Sequence, residues 1–330
     1  MGKSDVDVGV SVVTYNHAPF IAQTLEGILN QRTRYSMVVH VGDDGSNDST
    51  REIVASYAER YPELVVPHFH QSKLGIRDNF MSTIESCRAR YVAICDGDDL
   101  WTDPLKLERQ VSALDARPQF STSFHSAQVV DRAGVPQLIV PQRFQVHGDT
   151  YGLADLVRNE SFFATSSIVF RRPEGPIFPD WFDGLQNIVD LPMNMVNAGR
   201  GPMLFIDEMM CMYRSNSSAH AFSARDPIAI WVEAIGLFEL LSVHLDDEFR
   251  DDFRAKQSRN WREIIVEYAS RGAFSEASRA QDSYEAWAVG EGLDVTLEAR
   301  SLRKLRRVAR ALPRKARRRG LRFLERRSWG

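Results

Sequence analysis

The sequence contains little cysteine and no long apolar segment. Its 330 residues include three cysteines, Cys87, Cys95 and Cys211, which show no metal-ligand spacing and cannot all pair with one another. Neither a disulfide framework nor a cysteine-based zinc site is therefore indicated, and free thiols are typical of a reducing compartment. No apolar stretch approaches the roughly 20 residues that a bilayer-spanning helix needs.

The amino terminus lacks recognisable targeting signals. Residues 1–5 have no apolar core of the kind found in signal peptides. The Met-Gly start does not fit the myristoylation pattern, because Val6 stands where Ser or Thr is required. We therefore expect a cytoplasmic protein. A chain of this length with 43% hydrophobic residues accommodates one large globular domain and an appendage.

Positive charge is concentrated at the carboxyl end, although the net charge of the whole chain is −3. Residues 300–330 contain 14 Lys and Arg against one acid, Glu325, so the remainder is strongly acidic. A basic segment with an apolar helical face is typical of a helix that lies on an anionic membrane surface; a solvated, unstructured tail is the alternative. We expect no nucleic-acid partner, since the body is acidic. The apolar residues of this face are Leu302, Leu305, Ala309 and Leu312.

Strand-like apolar runs and helical patterns alternate over the first 120 residues, which predicts βαβ units and an α/β fold. Ser49 followed by Glu52 has the spacing of a capping box at a helix start. From residue 227 to about 289 the pattern is helical. Strands are predicted at residues 8–14, 37–41, 64–66, 91–95, 122–130 and 166–170, and helices beginning at Pro19, Ser49, Ile76 and Pro104.

Three of the predicted strands end in polar turns, at residues 14–16, 43–45 and 96–99. Because the carboxyl ends of parallel strands lie at one edge of a sheet, the three turns can converge on a single crevice. This convergence is the main physical reason to expect a functional site.

The turn at residues 96–99, hereafter the acidic turn, has the sequence Asp96-Gly97-Asp98-Asp99. Carboxylates this close together repel one another, and a cation among their oxygens removes the repulsion. Hard oxygen ligands suit Mg2+ or Mn2+. A solvated acidic turn is the alternative for so short a pattern, but the position directly after an apolar strand favours a metal.

Two further segments carry groups that suit a nucleotide. The carboxylate of Asp44 can accept the N–H of a pyrimidine ring, although its surroundings are also an ordinary turn sequence. Lys73 and Arg77 flank a predicted helix start, where free N–H groups and cations can bind a diphosphate; a solvated charged loop is the alternative. His68 and His70 form a weaker candidate metal pair, since no third ligand lies nearby in sequence.

In their order and spacing, these segments resemble the family 2 inverting glycosyltransferases of the GT-A fold, and most closely bacterial members that build surface polysaccharides. The resemblance is strong over residues 8–130, weakens toward residue 220 and is absent beyond. It implies a mixed, mostly parallel sheet flanked by helices in a glycosyltransferase domain over residues 1–225. A helical segment over 226–299 and the basic amphipathic tail over 300–330 would follow. The matching segments are residues 10–17, 43–50, 74–79 and 96–107.

The resemblance implies transfer of a sugar from a nucleotide-diphosphate sugar, with a uridine or thymidine diphosphate sugar as the expected donor. The acceptor would be a saccharide or a lipid-linked saccharide. Asp44 would face the base, Asp96 would support the ribose or the metal shell, and Asp98 and Asp99 would bind Mn2+ or Mg2+, with Asp99 the foremost ligand. The implied donor-binding residues are Thr14, Tyr15, Asn16, Asp44, Gly75, Arg77, Asn79, Asp96 and Asp98.

An inverting transfer needs a base that takes the proton of the acceptor hydroxyl. In this family the base is an Asp or Glu in the second half of the domain, often at a helix start, and Asp190 fits best. An Asp followed two residues later by Pro is also typical of a helix cap, and the two roles are compatible. Asp183 is the second candidate and Asp180 the third.

One feature departs from the family pattern. Relatives often carry Tyr-Arg-x-His after the last strand of the sheet, where the His contacts diphosphate or metal. This chain has Tyr213-Arg214-Ser215-Asn216 instead. His220 is an alternative candidate for this contact. The sequence does not fix which residue closes the donor site.

Two other functions also stay open. A metal-dependent nucleotidyltransferase has an α/β sheet and an acidic metal site too, but normally shows a Gly-rich loop with Arg or Lys after the first strand. Residues 15–19 do not have that character. A catalytically silent sugar-nucleotide-binding scaffold would keep the donor site and lack transfer.

Overall fold

The computed structural model describes residues 6–141, 147–160, 162–215 and 225–311. The chain divides into two compact units after Ala224, close to the boundary expected after residue 225. The last described helix, Thr296–Ala311, runs through the expected boundary between residues 299 and 300. The basic segment therefore begins inside a helix of the second unit.

The first unit is built on one mixed sheet. Parallel ladders join β1 to β2 and to β4, β2 to β3, and β6 to β10. The shorter pairings, such as β9 with β4 and β6, are antiparallel. The order is β3-β2-β1-β4-β9-β6-β10-β5, with β7 beside β6 and β8 beside β10. The described strands are β1 (Val8–Thr14), β2 (Met37–Asp43), β3 (Val65–Phe69), β4 (Tyr91–Asp96), β5 (Leu100–Trp101), β6 (Thr122–Val130), β7 (Pro136–Val140), β8 (Thr150–Tyr151), β9 (Val169–Arg171) and β10 (Met203–Arg214).

Helices pack on both faces of this sheet. Val41 of β2 lies in an apolar cluster with residues of α1 and α2, whereas the next residue, Gly42, faces α3. Strands covered on both sides are buried along their length, and the consecutive residues Val10, Ser11 and Val12 of β1 are accordingly fully buried. The helices of this unit are α1 (Ile21–Leu29), α2 (Thr50–Arg60), α3 (Ile76–Ser86), α4 (Lys106–Ala116), α5 (Leu153–Asn159) and α6 (Asp190–Arg200).

Two local expectations were wrong. Ser49 makes no capping hydrogen bond at the start of α2; the Asp48 carboxylate instead accepts from the Thr50 N–H at 3.0 Å and from the Ala18 N–H at 3.2 Å. The strand expected at residues 166–170 is shorter, because a 3-10 turn, Thr165–Ser167, precedes β9.

The second unit is helical, as the sequence pattern indicates. Its helices are α7 (Pro227–His244), α8 (Arg250–Arg271), α9 (Phe274–Gly290) and α10 (Thr296–Ala311). Ile235, Ile264, Tyr284, Leu302 and Ala309 share one buried cluster. The apolar face of α10 was expected to lie on a membrane, but Leu302 and Ala309 are buried in this helical core instead. Residues 312–330, including Leu312, lie outside the described part of the chain.

Helix α7 is long and apolar enough to cross a membrane by length and composition alone. Its 18 residues have a mean hydropathy of 1.4, and 33% of them are buried. A core helix of a soluble protein passes the same test, and Ile235 of α7 belongs to the helical core. The feature by itself assigns no membrane span.

Gly42, which precedes the acids at the end of β2, has no room for a side chain. A Cβ placed there would lie 2.0 Å from Thr83 Oγ1 and 2.6 Å from Asn79 Oδ1 of α3. We expect G42A to lower the free energy of unfolding by about 1–3 kcal/mol through overpacking. Gly199, in α6, meets no heavy atom within 4 Å outside its own helix, so G199A should be neutral or slightly stabilising. Urea denaturation measures both, and a G42A midpoint equal to that of the wild type would contradict the expectation.

Candidate active site

The polar turns after β1, β2 and β4 meet at one edge of the sheet, as expected. The Asp44 N–H donates to the Thr14 carbonyl at 3.0 Å, and the Asn16 N–H donates to Ser46 Oγ at 2.9 Å. Asn16 has a φ of 56°, a left-handed conformation that Asn tolerates better than most residues. Its side-chain oxygen accepts from the Asn47 N–H at 2.9 Å. Asn16 therefore shapes the turn and ties it to the next one.

Asp44 is buried and holds the segment that leads into α3. Its carboxylate accepts from the Leu74 N–H at 2.6 Å and from the Gly75 N–H at 3.1 Å. Gly75 has a φ of 96°, which explains a glycine at this position. In the same segment, the Lys73 ammonium lies 3.7 Å from the centre of the Tyr15 ring. The segment from Lys73 to Gly75 is thus fixed against both neighbouring turns.

Asp43, to which the sequence assigned no role, is fully buried beside Thr14 at the ends of β2 and β1. Its Oδ2 accepts from the Ser46 N–H at 3.1 Å and pairs with Arg51 at 3.2 Å. Among the described residues, Asp43 Oδ1 and Thr14 Oγ1 have no hydrogen-bond partner. The Nδ1 of His17 is in the same state. Orphaned buried polar atoms are rare in folded proteins, and these cluster where the base pocket was expected.

Within the acidic turn, Asp99 is an internal structural residue. Its side chain is 1% exposed, and one carboxylate oxygen accepts from the Arg214 N–H at 2.8 Å. The other oxygen accepts a short hydrogen bond from the Ser166 hydroxyl. Burial, reinforced by the charges of Asp98 and Asp96, raises the pKa of Asp99 well above its ordinary range. Because both oxygens already face protein donors, this geometry disfavours Asp99 as the foremost metal ligand.

Asp98 and Asp96 lie nearer to solvent. The Asp98 side chain is 13% exposed, and its Oδ2 lies 3.8 Å from His17 Nε2. Asp96 is partly reached by solvent but is surrounded by protein, and its N–H donates to Ser166 Oγ at 3.3 Å. Burial and the charges of Asp98 and Asp190 raise the pKa of Asp96 to about 8.

Asp190 is the first residue of α6, and it lies near the acidic turn. The Thr165 hydroxyl donates to Asp190 Oδ2 at 3.0 Å. No side chain caps the start of α6, which follows Val189, so the helix-cap interpretation of Asp190 has no hydrogen bond to support it. Asp183 and Asp180, the other candidate bases, are exposed in a 3-10 helix, Asp180–Gly184.

Arg77 and Asn79 project from the start of α3 in different directions. Arg77 donates to the carbonyls of Asp183 and Leu185 at 2.7 and 2.9 Å. Asn79 is buried, and its amide donates to the Gly42 carbonyl at 3.0 Å. Asn79 thus packs α3 on the sheet, whereas Arg77 borders a cleft of about 230 Å³. The cleft is lined by Leu74, Gly75, Ile76, Arg77, Asp78, Leu185, Gln186 and Asn187.

Tyr213 and Arg214, at the end of β10, complete the surroundings of the acidic turn. Burial and the charges of Asp99, Asp96, Asp98 and Asp190 raise the pKa of Tyr213. Beside its N–H bond to Asp99, Arg214 donates from Nη2 to Gln23 Oε1 at 3.0 Å. His220, the proposed substitute for the missing His, lies outside the described residues, as does Asn216.

A divalent cation shared with a diphosphate fits this edge of the sheet. Within the described ranges, no group of three or more His, Cys, Asp and Glu is arranged to hold a metal by itself. Asp96 and Asp98 supply hard oxygens whose negative charges repel one another, and Mg2+ is commonly held by one or two carboxylates plus substrate phosphates. His68 instead contacts His40, Nε2 to Nδ1 at 3.1 Å, and gains no third ligand.

Ser166 and Thr165 had no recognisable signal in the sequence. Their hydroxyls contact acids that are distant in the chain, at separations of 67 and 25 residues. Only the pairing of β9 with β4 and β6 brings this turn to the site.

The stability of two variants distinguishes the acids of the acidic turn. D99A removes the acceptor of the Arg214 N–H and the Ser166 hydroxyl, so we expect it to lower the free energy of unfolding by about 2–4 kcal/mol. D99N keeps one acceptor oxygen and should cost less. D98A, the matched control, should change stability by less than about 1 kcal/mol. Denaturation curves recorded without metal measure the free energy of unfolding of each variant. Equal decreases for D98A and D99A would contradict this assignment.

Comparison with known proteins agrees with the fold of the first unit. Residues 10–173 match the sequence profile described as Glycosyl transferase family 2. An uncharacterised protein of Mycobacterium tuberculosis is 34% identical over 207 residues, which cover 62% of this chain and 58% of that protein. The chain therefore spans less than two thirds of the length of this curated relative.

Two solved structures share the fold. Residues 1–349 of S. aureus TarS, in complex with UDP-GlcNAc, superpose with a TM-score of 0.62 at 15% identity, covering 97% of this chain and 92% of that one. The mannosyltransferase PcManGT from Pyrobaculum calidifontis, in complex with GDP-Man and Mn2+, gives 0.51 at 19% identity, covering 97% and 85%. At these identities the likeness shows the fold alone, and it confirms the expected GT-A architecture. Through the domain at residues 10–173, the chain belongs to glycosyl transferase family 2.

Proposed function

We propose that this protein is an inverting glycosyltransferase that moves a sugar from a uridine or thymidine diphosphate sugar to a saccharide or lipid-linked saccharide in bacterial surface-polysaccharide synthesis. The observation that carries the proposal is the meeting of the acidic turn with Asp190 at the carboxyl edge of the sheet. The two are close enough for the charge of Asp190 to raise the pKa of Asp96. Family membership supports the reaction class.

The donor class is supported by the structural neighbours. TarS was solved with UDP-GlcNAc and PcManGT with GDP-Man and Mn2+. The orphaned oxygens of Asp43 and Thr14 support base recognition at the ends of β1 and β2. Asp44 would act through the segment that it holds, because its carboxylate already accepts the Leu74 and Gly75 N–H groups.

The metal ligands in this proposal are Asp98 and Asp96, with Asp99 behind them. When bound there with the donor diphosphate, Mn2+ or Mg2+ would neutralise charge that develops on the leaving nucleoside diphosphate. Asp99 would act indirectly, because its contacts with Ser166 and Arg214 fix the path of the acidic turn.

Asp190 acts as the base in this proposal. The acceptor hydroxyl oxygen attacks the anomeric carbon while the bond from that carbon to the diphosphate oxygen breaks, and the electron pair leaves with the nucleoside diphosphate. The hydroxyl proton passes to the Asp190 carboxylate, and attack from the face opposite the leaving group inverts the anomeric centre. Thr165 holds one carboxylate oxygen of Asp190 at 3.0 Å.

A panel of uridine, thymidine and guanosine diphosphate sugars, each with and without Mn2+, tests the donor and the reaction together. We expect the correct donor to raise the melting temperature with Mn2+, as binding to the folded state does, and to be consumed when an acceptor is present. Binding without any transfer or hydrolysis would indicate a silent scaffold. In a parallel assay, release of pyrophosphate from a nucleoside triphosphate supplied with a sugar 1-phosphate would indicate a nucleotidyltransferase.

D190N tests the base. Loss of general-base catalysis should lower kcat by about 10²–10⁴-fold, with donor affinity within about threefold of the wild type. D183N is the matched control, since Asp183 is exposed on the neighbouring 3-10 helix, and it should retain activity. An inactive D183N beside an active D190N would reverse the assignment. The anomeric configuration of the product, read by NMR, tests inversion.

A position at the cytoplasmic face of the membrane belongs to the same proposal. Arg300, Lys304 and Arg307 are exposed on α10, whereas Leu302 is buried in the helical core. Attraction to anionic lipid would therefore be electrostatic in this stretch, at about 1 kcal/mol for each cation near the surface. Such docking would bring the enzyme to a lipid-linked acceptor.

Vesicle sedimentation tests the docking. Full-length protein should bind vesicles that contain anionic lipid at low salt and should be released by about 0.5 M salt. It should not bind neutral vesicles. The variant R300Q/K304Q/R307Q should bind at least about tenfold more weakly. The control variant R32Q/R88Q/R132Q removes as many exposed cations from the first unit and should bind normally. Equal loss in both variants would reject a role specific to α10.

A further inference from the structure

We propose that Thr165 is a positioning residue for Asp190, and that the 3-10 turn Thr165–Ser167 sets the placement of the base relative to the acidic turn. The proposal rests on the function proposed above. It assigns a role to a turn whose sequence shows no family motif, and it is carried by the opposite directions of two adjacent hydroxyls.

The two hydroxyls reach the two halves of the site. Thr165 Oγ1 donates to Asp190 Oδ2 at 3.0 Å. Ser166 Oγ donates to Asp99 Oδ2 and accepts from the Asp96 N–H at 3.3 Å. Thr165 and Ser166 are adjacent in the chain, so two neighbouring residues hold the candidate base on α6 and the acidic turn after β4.

The turn itself is held firmly. The Trp101 indole N–H donates to the Ser166 carbonyl at 3.0 Å, and the Gln110 amide donates to the Ser167 carbonyl at 2.8 Å. Ser167 donates from its hydroxyl to the Ala164 carbonyl at 2.6 Å. Ser166 and Ser167 are fully buried. Because Trp101 and Gln110 lie in β5 and α4, the two elements that follow the acidic turn in the chain, the 3-10 turn is fixed to the same part of the fold as the acids.

Asp190 needs such an anchor. It is the first residue of α6 and makes no capping hydrogen bond to that helix, so the helix does not select the rotamer of its carboxylate. A general base must come within about 3 Å of the hydroxyl that it deprotonates, and a misplacement of about 1 Å can cost on the order of 10²-fold in rate. The Thr165 hydroxyl supplies a fixed donor to one carboxylate oxygen.

The test compares T165V, which keeps the shape and removes the hydroxyl, with T165S, which keeps the hydroxyl. We expect T165V to lower kcat by about 10- to 100-fold, with the KM values for donor and acceptor within about threefold of the wild type. T165S should restore kcat to within about threefold. T33V is the matched control, because the Thr33 hydroxyl also donates to a carboxylate, that of Glu108, at 3.0 Å.

A double variant makes the test specific to Asp190. If Thr165 acts through Asp190, T165V should have no further effect on the residual kcat of D190N. A T165V variant with kcat within twofold of the wild type, a T165S variant as impaired as T165V, or a full additional loss in the double variant would each overturn the proposal. If T165V does not fold, T165A against T165S makes the same comparison.

The outcomes also separate this proposal from the proposed function. Wild-type protein that transfers no sugar would reject the function and this role together. D190N that keeps full activity would reject Asp190 as the base, and with it the role of Thr165, but not the transfer reaction. An active wild type with an inactive D190N and a fully active T165V would reject the role of Thr165 alone.

Discussion

Repulsion among carboxylates at the carboxyl edge of the sheet is the constraint on which the rest of the site depends. The charges of Asp99, Asp96, Asp98 and Asp190 all contribute to the raised pKa of Tyr213, so all four acids lie near that side chain. The fold contains the repulsion by drawing Asp99 inward, where Ser166 and Arg214 donate to it. Asp98 and Asp96 lie nearer to solvent at this edge, and they are the acids that the proposed function assigns to the metal.

Adjacent acids at this edge of the sheet have different partners. At the end of β2, Asp43 pairs with Arg51, and Asp44 accepts backbone N–H groups from the segment before α3. At the acidic turn, Asp99 is enclosed and Asp98 stands nearer to solvent beside His17. Adjacent carboxylates in one motif therefore have different functions, because successive residues in a turn point to different surroundings.

Strands β1–β4 and β6, helices α1–α4 and the convergence of the polar turns were predictable from the sequence, because apolar periodicity and turn residues act locally. The strands β5, β7, β8 and β10 and helix α5 were not predicted. Which acid of the acidic turn is enclosed by protein and which lies nearer to solvent was not predictable in this way. Asp99 follows Asp98 directly, and only the arrival of β10 and the 3-10 turn, 67 or more residues later, decides which of them is enclosed. Thr165 and Ser166 were not predicted as site residues, because the acids that they contact are distant in the chain. The apolar face of α10 was predicted correctly, but it was expected to contact a membrane, whereas Leu302 and Ala309 pack in the helical core. Periodicity identifies an apolar face and does not show what covers it.

The two structural neighbours share this fold but were solved with different nucleotide sugars. One was solved with a uridine and the other with a guanosine diphosphate sugar, and both superpose on the same sheet. The diphosphate and metal contacts are common to such donors, so discrimination must come from polar groups that face the base. Among the described residues of this chain, the buried atoms without a partner include Asp43 Oδ1 and Thr14 Oγ1, whose residues are paired at the ends of β2 and β1. A site with unpaired buried polar groups strongly rejects a ligand that cannot satisfy them, so base selectivity here should depend on Asp43 at least as much as on Asp44.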